Sequence, residues 1–415
     1  MPESYVIVGD GIAGSSAAET LRELAPDAEI TVITDEGEPL YNRILIKEFA
    51  KGKLPEAPIS IHDEEWYDER DIDLRLNTLV TDVDTLDNVV RTHDGSDLPY
   101  DGLLVATGGT PTQLPVENSD AGGIHHFWTF EDARRIREHA EEADAGVIVG
   151  AGLLGIDLAA ICAAQEIDAK YLMRGNRWWR YALSEDGAEI VHDALVEKGV
   201  EPVFESGASR FETDDDGNVV ATVDGNDVRY DSDFVGIAIG LNFNVEFLQD
   251  TDVEVDDGIV VDEYMRTAVE DVYAAGDITR FHDTIRDTYA QNGSWGSAKQ
   301  QGSVAGKAMA ADDPEDVDAF RWVSSYSITH FDFPFLSFGF PTEGDESAER
   351  RYGEQDWRRL AFENGQLIGG VLIGNLAPQS KYKQLIRAEA QVADQTDVLL
   401  QSNFDLDDLD LDVEL

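Results

Sequence analysis

Residues Gly146 to Ala164 read GVIVGAGLLGIDLAAICAA, nineteen positions with a single charge. A short membrane span, a buried core helix and a strand-turn-helix around a nucleotide all accommodate such a run. The spacing of Gly150, Gly152 and Gly155, Gly-x-Gly-x-x-Gly, separates them. It follows the β-type run GVIV and opens onto an alanine-rich helical stretch, which fits a strand, a tight turn and a helix. In such a unit the first glycine permits the turn, the second lets the backbone approach a pyrophosphate, and the third lets the helix pack closely on the strand. The helix N-terminus then offers unpaired N-H groups to phosphate oxygens. One such motif is weak, because glycine-rich turns occur in many folds. Here it is repeated: VIVGDGIAGSSAA, Val6 to Ala18, carries the same spacing at Gly9, Gly11 and Gly14. One chain holds two candidate dinucleotide sites.

The chain has 415 residues, more than one ordinary core, and predicts two or three domains. Its 85 acidic and 31 basic residues give a formal charge of -54, spread along the whole length. Lys is scarcer than Arg. A uniformly acidic, lysine-poor surface suits concentrated salt, where the Debye length falls to about 3 Å and self-repulsion is screened. The composition reads as that of a cytoplasmic protein of an extreme halophile. It argues against nucleic acid as a partner, since phosphate binding needs clustered Lys and Arg, and equally against anionic membrane surfaces. The first strand begins within a few residues of Met1, leaving no room for a signal peptide.

Cys162 is the only cysteine, so the chain has no internal disulfide, no CxxC redox pair and no thiolate metal site. Among Ile161, Ala163 and Ala164 it reads as a small buried residue. The eight histidines form no ligand-spaced cluster, and the adjacent His125 and His126 point apart on a strand. No metal is expected.

The first unit continues through EITVIT, a second parallel strand ending at Asp35 and Glu36, where an acidic side chain can accept from an adenosine ribose. PLYNRILIKEFAKG follows, and DGLLVATGG supplies a further strand. TFEDARRIREHAEEADA is an amphipathic helix capped by Thr129 with Asp132 three residues on. The second unit ends in DFVGIAIG. MRTAVEDVYAAGDI is a strand ending at Gly276 and Asp277, and SAKQQGSVAGKAMA is a helix. From about Pro314 the texture turns aromatic and alternating, with an Asn-Gly hairpin signal at Asn364 and Gly365. A helix, SKYKQLIRAEAQVA, follows, and DLDDLDLDVEL closes the chain as a solvated tail.

Both glycine motifs in order, VATGG between them, TxxxxVYAAGD after them and YNRIL resemble the two-dinucleotide flavoproteins of the pyridine nucleotide-disulfide oxidoreductase family. YNRIL, GSWGSAKQQG and LAFENGQLIGGVLIG look most like the ferredoxin and rubredoxin reductases and the flavin part of nitrite reductases. The resemblance implies an α/β fold with two Rossmann-like domains and a small α+β C-terminal interface domain. The FAD domain would comprise residues 1-112 and 245-313. The inserted NAD(P)H domain would span 113-244, the interface domain 314-401, and an acidic tail 402-415. FAD would meet Gly9, Gly11, Gly14, Glu36, Arg43, Gly108, Gly276, Asp277 and Trp295. Arg43 would neutralise the pyrophosphate and Asp277 would hold the ribityl chain. A helix starting near Trp295 would aim its N-terminal dipole at the flavin.

The second nucleotide would lie on Gly150, Gly152 and Gly155. The following strand, AKYLM, ends in RGNRWWR rather than in an acidic residue, and arginines favour a 2′-phosphate. Arg174, Arg177 and Arg180 therefore point to NADPH, with NADH left open. Trp178 and Trp179 are open to two roles, stacking on adenine or packing over the domain.

The resemblance implies hydride transfer from nicotinamide to flavin. The segment where related oxidases and peroxidases carry a cysteine reads YNRILIKEFAKG and has none, so electrons would leave the flavin directly. The branch often pairs a Lys five residues after the Arg with a Glu just past the second glycine motif. Here those positions hold Glu48 and Asp157, with Lys47 one residue early. A displaced Lys47 and Asp157 pair is one candidate, a solvent-facing Lys47 the other. The run Phe331 to Phe340 is the alternating core of the interface domain, or a cover for one flavin face. The doublets Arg350-Arg351 and Arg358-Arg359 either pair with neighbouring carboxylates, the favoured role, or dock an acidic ferredoxin.

The leading expectation is an NADPH-dependent FAD oxidoreductase that reduces a carrier such as a ferredoxin or rubredoxin, as a monomer or homodimer. The alternatives are an NAD(P)H oxidase or small-molecule reductase, and a flavoprotein acting through protein interaction.

Overall fold

The structure, a computed structural model, describes residues 3–411 and 413. It divides into two compact units: residues 1–42, 57–110 and 242–324 form the first, and residues 43–56, 111–241 and 325–415 the second.

The first unit is built on a five-stranded parallel sheet in the order Val272–Ala274, Gly102–Val105, Ser4–Val8, Glu29–Ile33, Ile72–Arg75. Val6, Ile7 and Val8 are all buried, as a strand covered on both faces requires. The first glycine motif turns this central strand into the helix Ile12–Leu24. Against it lies the helix Trp295–Ala310, and the two approach backbone to backbone. A Cβ at Gly302 would collide with the Ala13 carbonyl, and one at Gly306 would meet that of Ala17, which explains the small residues in SAKQQGSVAGKAMA.

The second unit repeats the plan with Val200–Phe204, Asp168–Met173, Ala145–Val149, Phe234–Ile237 and Ile124–His126, all parallel. The nineteen-residue run that opened the question is thus the central strand plus the helix Leu153–Ala164. Among the described residues no helix is long and apolar enough to cross a membrane. The helix Phe130–Ala140 carries the Thr129/Asp132 capping box.

A five-stranded antiparallel sheet follows, ordered Ser325–Ile328, Phe335–Gly339, Gln366–Ile373, Trp357–Glu363, Glu346–Arg351. Asn364 and Gly365 both have positive φ (49° and 87°), the requirement of the hairpin turn their sequence signals. This sheet packs on the parallel-sheet part of its own unit: the bare Cα of Gly187 abuts the Trp357 indole, and Trp178 meets Phe335 edge-on at 5.6 Å.

Three boundaries differ from expectation. Residues 43–56 join the second unit, because Phe49 packs on Phe130 (5.2 Å) and Arg137 donates to the Leu54 carbonyl (3.2 Å). Residues 314–324 stay with the first, where Phe320 N-H bonds the Glu263 carbonyl (2.7 Å) and its ring packs on Phe281. The C-terminal helix is Gln379–Arg387, shorter than SKYKQLIRAEAQVA, because Glu389 takes a positive φ of 55°.

The chain is anchored just before the acidic closing run. Phe404 is buried, stacked on Tyr382 at 5.2 Å, and Lys381 donates to the Phe404 carbonyl (2.8 Å) and to Asp405 (2.9 Å).

Most non-glycine residues with positive φ are Asp or Asn, among them the exposed turn residues Asp71, Asp227, Asp257, Asp271 and Asp287. Short polar side chains tolerate this backbone best.

Candidate functional sites

In the first unit Gly9 has φ 109°, and a Cβ there would collide with the Ala106 carbonyl of the VATGG strand. A Cβ at Gly14 would collide with the Gly9 carbonyl. Gly11 differs: no described atom lies within 4 Å of where its Cβ would sit. It is the N-cap of the following helix, with extended backbone, no capping side chain and no acidic residue in the first turn. The second motif repeats this division. Gly150, φ 119°, is held against the Ala238 carbonyl, and Gly155 against the Gly150 carbonyl and the Tyr171 hydroxyl. Gly152, again the N-cap, has nothing within 4 Å. Two glycines in each motif are demanded by packing of the chain on itself, whereas the middle one meets no described atom. An uncapped helix N-terminus approached over a bare Cα fits a dinucleotide pyrophosphate.

Other expected residues of the first unit gather around its motif. Gly276, φ 91°, lies against Ala13 of the first-motif helix and Ala298 of the helix that Trp295 opens. Its amide donates to Gln301 Oε1 (2.7 Å), with the Thr279 hydroxyl 2.9 Å from the same oxygen. Buried Gln301 thus fixes the turn that presents Asp277; only its place in GSWGSAKQQG hinted at a role. Gly108 (φ 57°) has open space at its Cβ position, and Glu36 accepts from the Tyr41 hydroxyl (2.7 Å). Sequence reasoning missed Tyr67, whose buried hydroxyl lies 2.8 and 2.9 Å from the two carboxylate oxygens of Asp10 inside the first motif.

In the second unit, Arg43 donates to the Trp128 carbonyl (2.9 Å) and faces its ring. The three arginines after the strand Asp168–Met173 separate. Arg174 and Arg180 are exposed, and Arg180 donates to the Tyr181 hydroxyl (2.8 Å). Arg177 braces the loop through the Leu183 carbonyl (2.7 Å), Asn176 (3.0 Å) and the Arg180 carbonyl (3.3 Å). Trp178 is fully buried, which removes it from adenine stacking. Its indole N-H donates to the Gly152 carbonyl (3.3 Å), tying this loop to the second motif.

Lys47 does not face solvent. Its ammonium lies 3.6 Å from Asp157 Oδ1, and Asp157 is buried on the helix Leu153–Ala164. Asp157 also accepts from His330 Nε2 (2.7 Å) and from the Tyr326 hydroxyl (2.9 Å). His330 Nδ1 faces Lys51 Nζ at 3.0 Å, and Lys51 donates to Glu48 at 2.5 Å. Burial would push the Asp157 carboxyl up; the His330 hydrogen bond, the Lys47 charge and the Tyr326 hydroxyl outweigh it and hold it below the ordinary range. Burial draws the Lys51 ammonium down, against the pull of Glu48. Lys51, Tyr326 and His330 carried no sequence signal, because only the fold joins segments so far apart.

Cys162 is fully buried, and burial pushes its thiol up to about 12, which makes it unreactive. The arginine doublets are structural. Buried Arg358 donates to the carbonyls of Gln401 (2.9 Å) and Ser402 (3.1 Å), and Arg359 to those of Pro341 (2.7 Å) and Ala182 (3.3 Å). Arg350 bonds the Leu400 carbonyl (2.9 Å) and Arg351 bonds Glu189 (2.5 Å).

Two parallel sheets, each with a glycine turn that leads from its central strand into an uncapped helix, define an α/β protein with two Rossmann-like sheets. Residues 3–302 match the model of the pyridine nucleotide-disulphide oxidoreductase family, and the chain belongs to that family. It is 25% identical over 395 residues to the nitrite reductase [NAD(P)H] of Bacillus subtilis, a match covering 94% of this chain but only 48% of that protein. It is 25% identical over 400 residues to the ferredoxin--NAD(+) reductase component of the 3-phenylpropionate/cinnamic acid dioxygenase of Photorhabdus laumondii, covering 94% and 98% of the two chains. Among solved structures, the covalent putidaredoxin reductase-putidaredoxin complex matches with TM-score 0.87 at 24% identity, over 94% of each chain. At that identity the likeness shows the fold.

Proposed function

We propose that this chain is an FAD-dependent NADPH oxidoreductase that passes electrons to a small redox protein such as a ferredoxin or rubredoxin. The observation that supports it is the doubled cradle, two uncapped helix N-termini each behind a glycine whose Cα faces no described atom. The family and the ferredoxin reductase relative supply the reaction class. FAD, when bound, accepts a hydride and can release its electrons one at a time.

The protein's own part is binding and orientation. Gly11 and the following amides are to hold the FAD pyrophosphate, Glu36 the ribose, and Asp277, set by Gln301, the ribityl hydroxyls. Gly152 and its amides are to hold the NADPH pyrophosphate. Arg174 and Arg180, exposed beyond the strand Asp168–Met173, are to pair with the 2′-phosphate, while Arg177 keeps the loop in shape. Cys162, the chain's only cysteine, is buried, so no thiol of this chain takes part. The net charge of -54 supports a working environment of concentrated salt, where it is screened.

Stopped-flow absorbance of the FAD-loaded protein in molar KCl tests the proposal. Anaerobic mixing with NADPH is expected to bleach the flavin quickly, and oxidised ferredoxin to restore its colour. Bleaching by NADH alone overturns the NADPH assignment, fast recovery in air without a carrier points to an oxidase, and slow bleaching by both nucleotides refutes the enzyme reading.

A further inference from the structure

The loop after the strand Asp168–Met173 holds more than the two arginines assigned to the 2′-phosphate. From Ala169 to Ser184 the chain carries four basic residues and no acidic one, in a protein with 85 acidic residues among 415. Two bonds fix this loop on the second glycine motif: the Trp179 amide donates to the Ala151 carbonyl (3.1 Å) and the Trp178 indole to the Gly152 carbonyl (3.3 Å). Trp179 takes a positive φ of 44°, a conformation a bulky residue keeps only where its surroundings impose it. Here they do so through that amide bond and through the Trp178 and Phe335 rings, centred 5.8 and 5.9 Å away. The amides of Ala182 and Leu183 both return to the Trp179 carbonyl (2.9 and 3.1 Å). They close a tight turn with Arg180 and Tyr181 side by side at its tip.

Tyr181 is 66% exposed, an unusual place for a large ring. The Arg180 guanidinium lies over that ring, 4.9 Å from its centre, and Nη2 donates to the hydroxyl oxygen (2.8 Å). A guanidinium cannot accept in return, so the hydroxyl hydrogen is left for another acceptor. None of the described residues supplies one. Arg174 has no hydrogen bond and no ion pair through its guanidinium among the described residues. Both arginine stems run over bare Cα atoms: a Cβ at Gly175 would meet Arg180 Cδ at 2.8 Å, and one at Gly207 would meet Arg174 Cγ at 3.2 Å. The Arg180 hydrogen bond first, then the charges of Arg180 and Arg174, draw the Tyr181 phenol below its ordinary range, and no carboxylate acts on it. Two guanidiniums and one hydroxyl thus stand together with hydrogens to give and no anion of the chain to receive them.

We propose that Tyr181 is a further specificity-determining residue of this site, its hydroxyl, held by Arg180, donating to the 2′-phosphate of NADPH beside Arg174 and Arg180. The inference rests on the reading that this unit binds NADPH. The loop leaves the strand next to the central one, Ala145–Val149, and the adenosine ribose of a dinucleotide lies beyond the end of that neighbouring strand. A phosphate monoester carries roughly two negative charges at pH 7 and three strong acceptor oxygens. Two cations and a hydroxyl match it, whereas the uncharged 2′-hydroxyl of NADH gives the cations nothing to neutralise.

The test is a calorimetric titration of NADP+ and NAD+ into the FAD-loaded protein in molar KCl, for wild type, Tyr181→Phe and Arg174→Ala. Phenylalanine keeps the ring beneath Arg180 and removes only the hydroxyl, and at this exposed tip it is expected to leave the urea midpoint unchanged. Tyr181→Phe is expected to weaken NADP+ binding on the order of tenfold while NAD+ binds as in wild type. Wild-type NADP+ affinity in Tyr181→Phe overturns the inference, and a loss retained in Arg174→Ala then leaves the NADPH reading standing. An equal loss for both nucleotides in Tyr181→Phe also overturns it, because the hydroxyl would then serve the adenosine or the loop rather than the phosphate. Wild-type protein that binds NAD+ as tightly as NADP+ overturns the NADPH reading and this inference together.

Discussion

Replacing Gly150 and Gly152 separately by Ala is expected to break two different things. At Gly150 the backbone has φ 119°, a region nearly closed to other residues, and the new methyl would be driven into the Ala238 carbonyl. The conformational part costs about 1–3 kcal/mol and the overpacking about 1–3 kcal/mol, so Gly150→Ala is expected to lose roughly 2–6 kcal/mol of stability. Gly152 has φ -101°, which Ala adopts freely, and its methyl meets no described atom. The gain of about 0.4–1 kcal/mol from a stiffer unfolded chain roughly offsets the poorer N-cap, worth up to about 1 kcal/mol. Gly152→Ala should therefore unfold at the wild-type urea concentration. Its methyl nevertheless stands where the pyrophosphate must approach, and a steric cost of about 1–3 kcal/mol corresponds to a loss of roughly 5- to 150-fold in NADP+ affinity. Urea unfolding in molar KCl followed by circular dichroism, beside a calorimetric NADP+ titration, reads both quantities. Wild-type NADP+ affinity in Gly152→Ala, or destabilisation equal to that of Gly150→Ala, would refute the assignment of the middle glycine to the ligand.

Arg174→Ala and Arg180→Ala are each expected to weaken NADPH binding on the order of tenfold while leaving NADH unchanged; equal losses for both nucleotides would remove the 2′-phosphate role. His125, half-buried beside His139 at 2.7 Å and stacked on Phe234, is drawn down to about 4, chiefly by desolvation and then by the His139 charge. A depressed histidine contributes stability that is complete above its unfolded value of about 6.5 and is lost as pH falls toward 4, on the order of 3 kcal/mol; His125→Gln should flatten that part of the urea-midpoint profile. Arg358→Ala removes the donors to the Gln401 and Ser402 carbonyls and should cost about 2–4 kcal/mol, seen as faster amide exchange around residues 396–404. Thermal midpoints should climb steeply between dilute buffer and molar KCl, because screening relieves the repulsion of a net charge of -54; midpoints independent of salt would contradict the reading of the composition.

The parts of the molecule legible in its sequence are those whose causes are local. Both glycine motifs, the Thr129 capping box and the Asn364-Gly365 hairpin specify their geometry within a few residues, and each is found where the sequence signals it. The helix expected near Trp295 begins at Trp295, since Ser294 caps it. What failed was set at long range. Residues 43–56 were expected with the first glycine motif, but Phe49 and Leu54 find their partners on the helix Phe130–Ala140. Trp178 was open to two roles until the fold buried it beneath Gly152. The Lys47 and Asp157 pair was one of two alternatives, whereas Lys51, Tyr326 and His330 were invisible: they become partners only when three segments are folded together.

The exposed aspartates at positive φ, at positions 71, 227, 257, 271 and 287, bear on any attempt to lower the net charge of -54. Charge reversal to lysine at strand or helix surfaces changes only electrostatics. At these five turns it would also ask the backbone to hold a long side chain in a conformation that Asp tolerates cheaply. Asn or Gly, each removing one negative charge without that demand, are the substitutions open there. The acidity of this chain is thus partly lodged in its corners, and a less acidic redesign would have to respect which carboxylates also shape the turns of the chain's path.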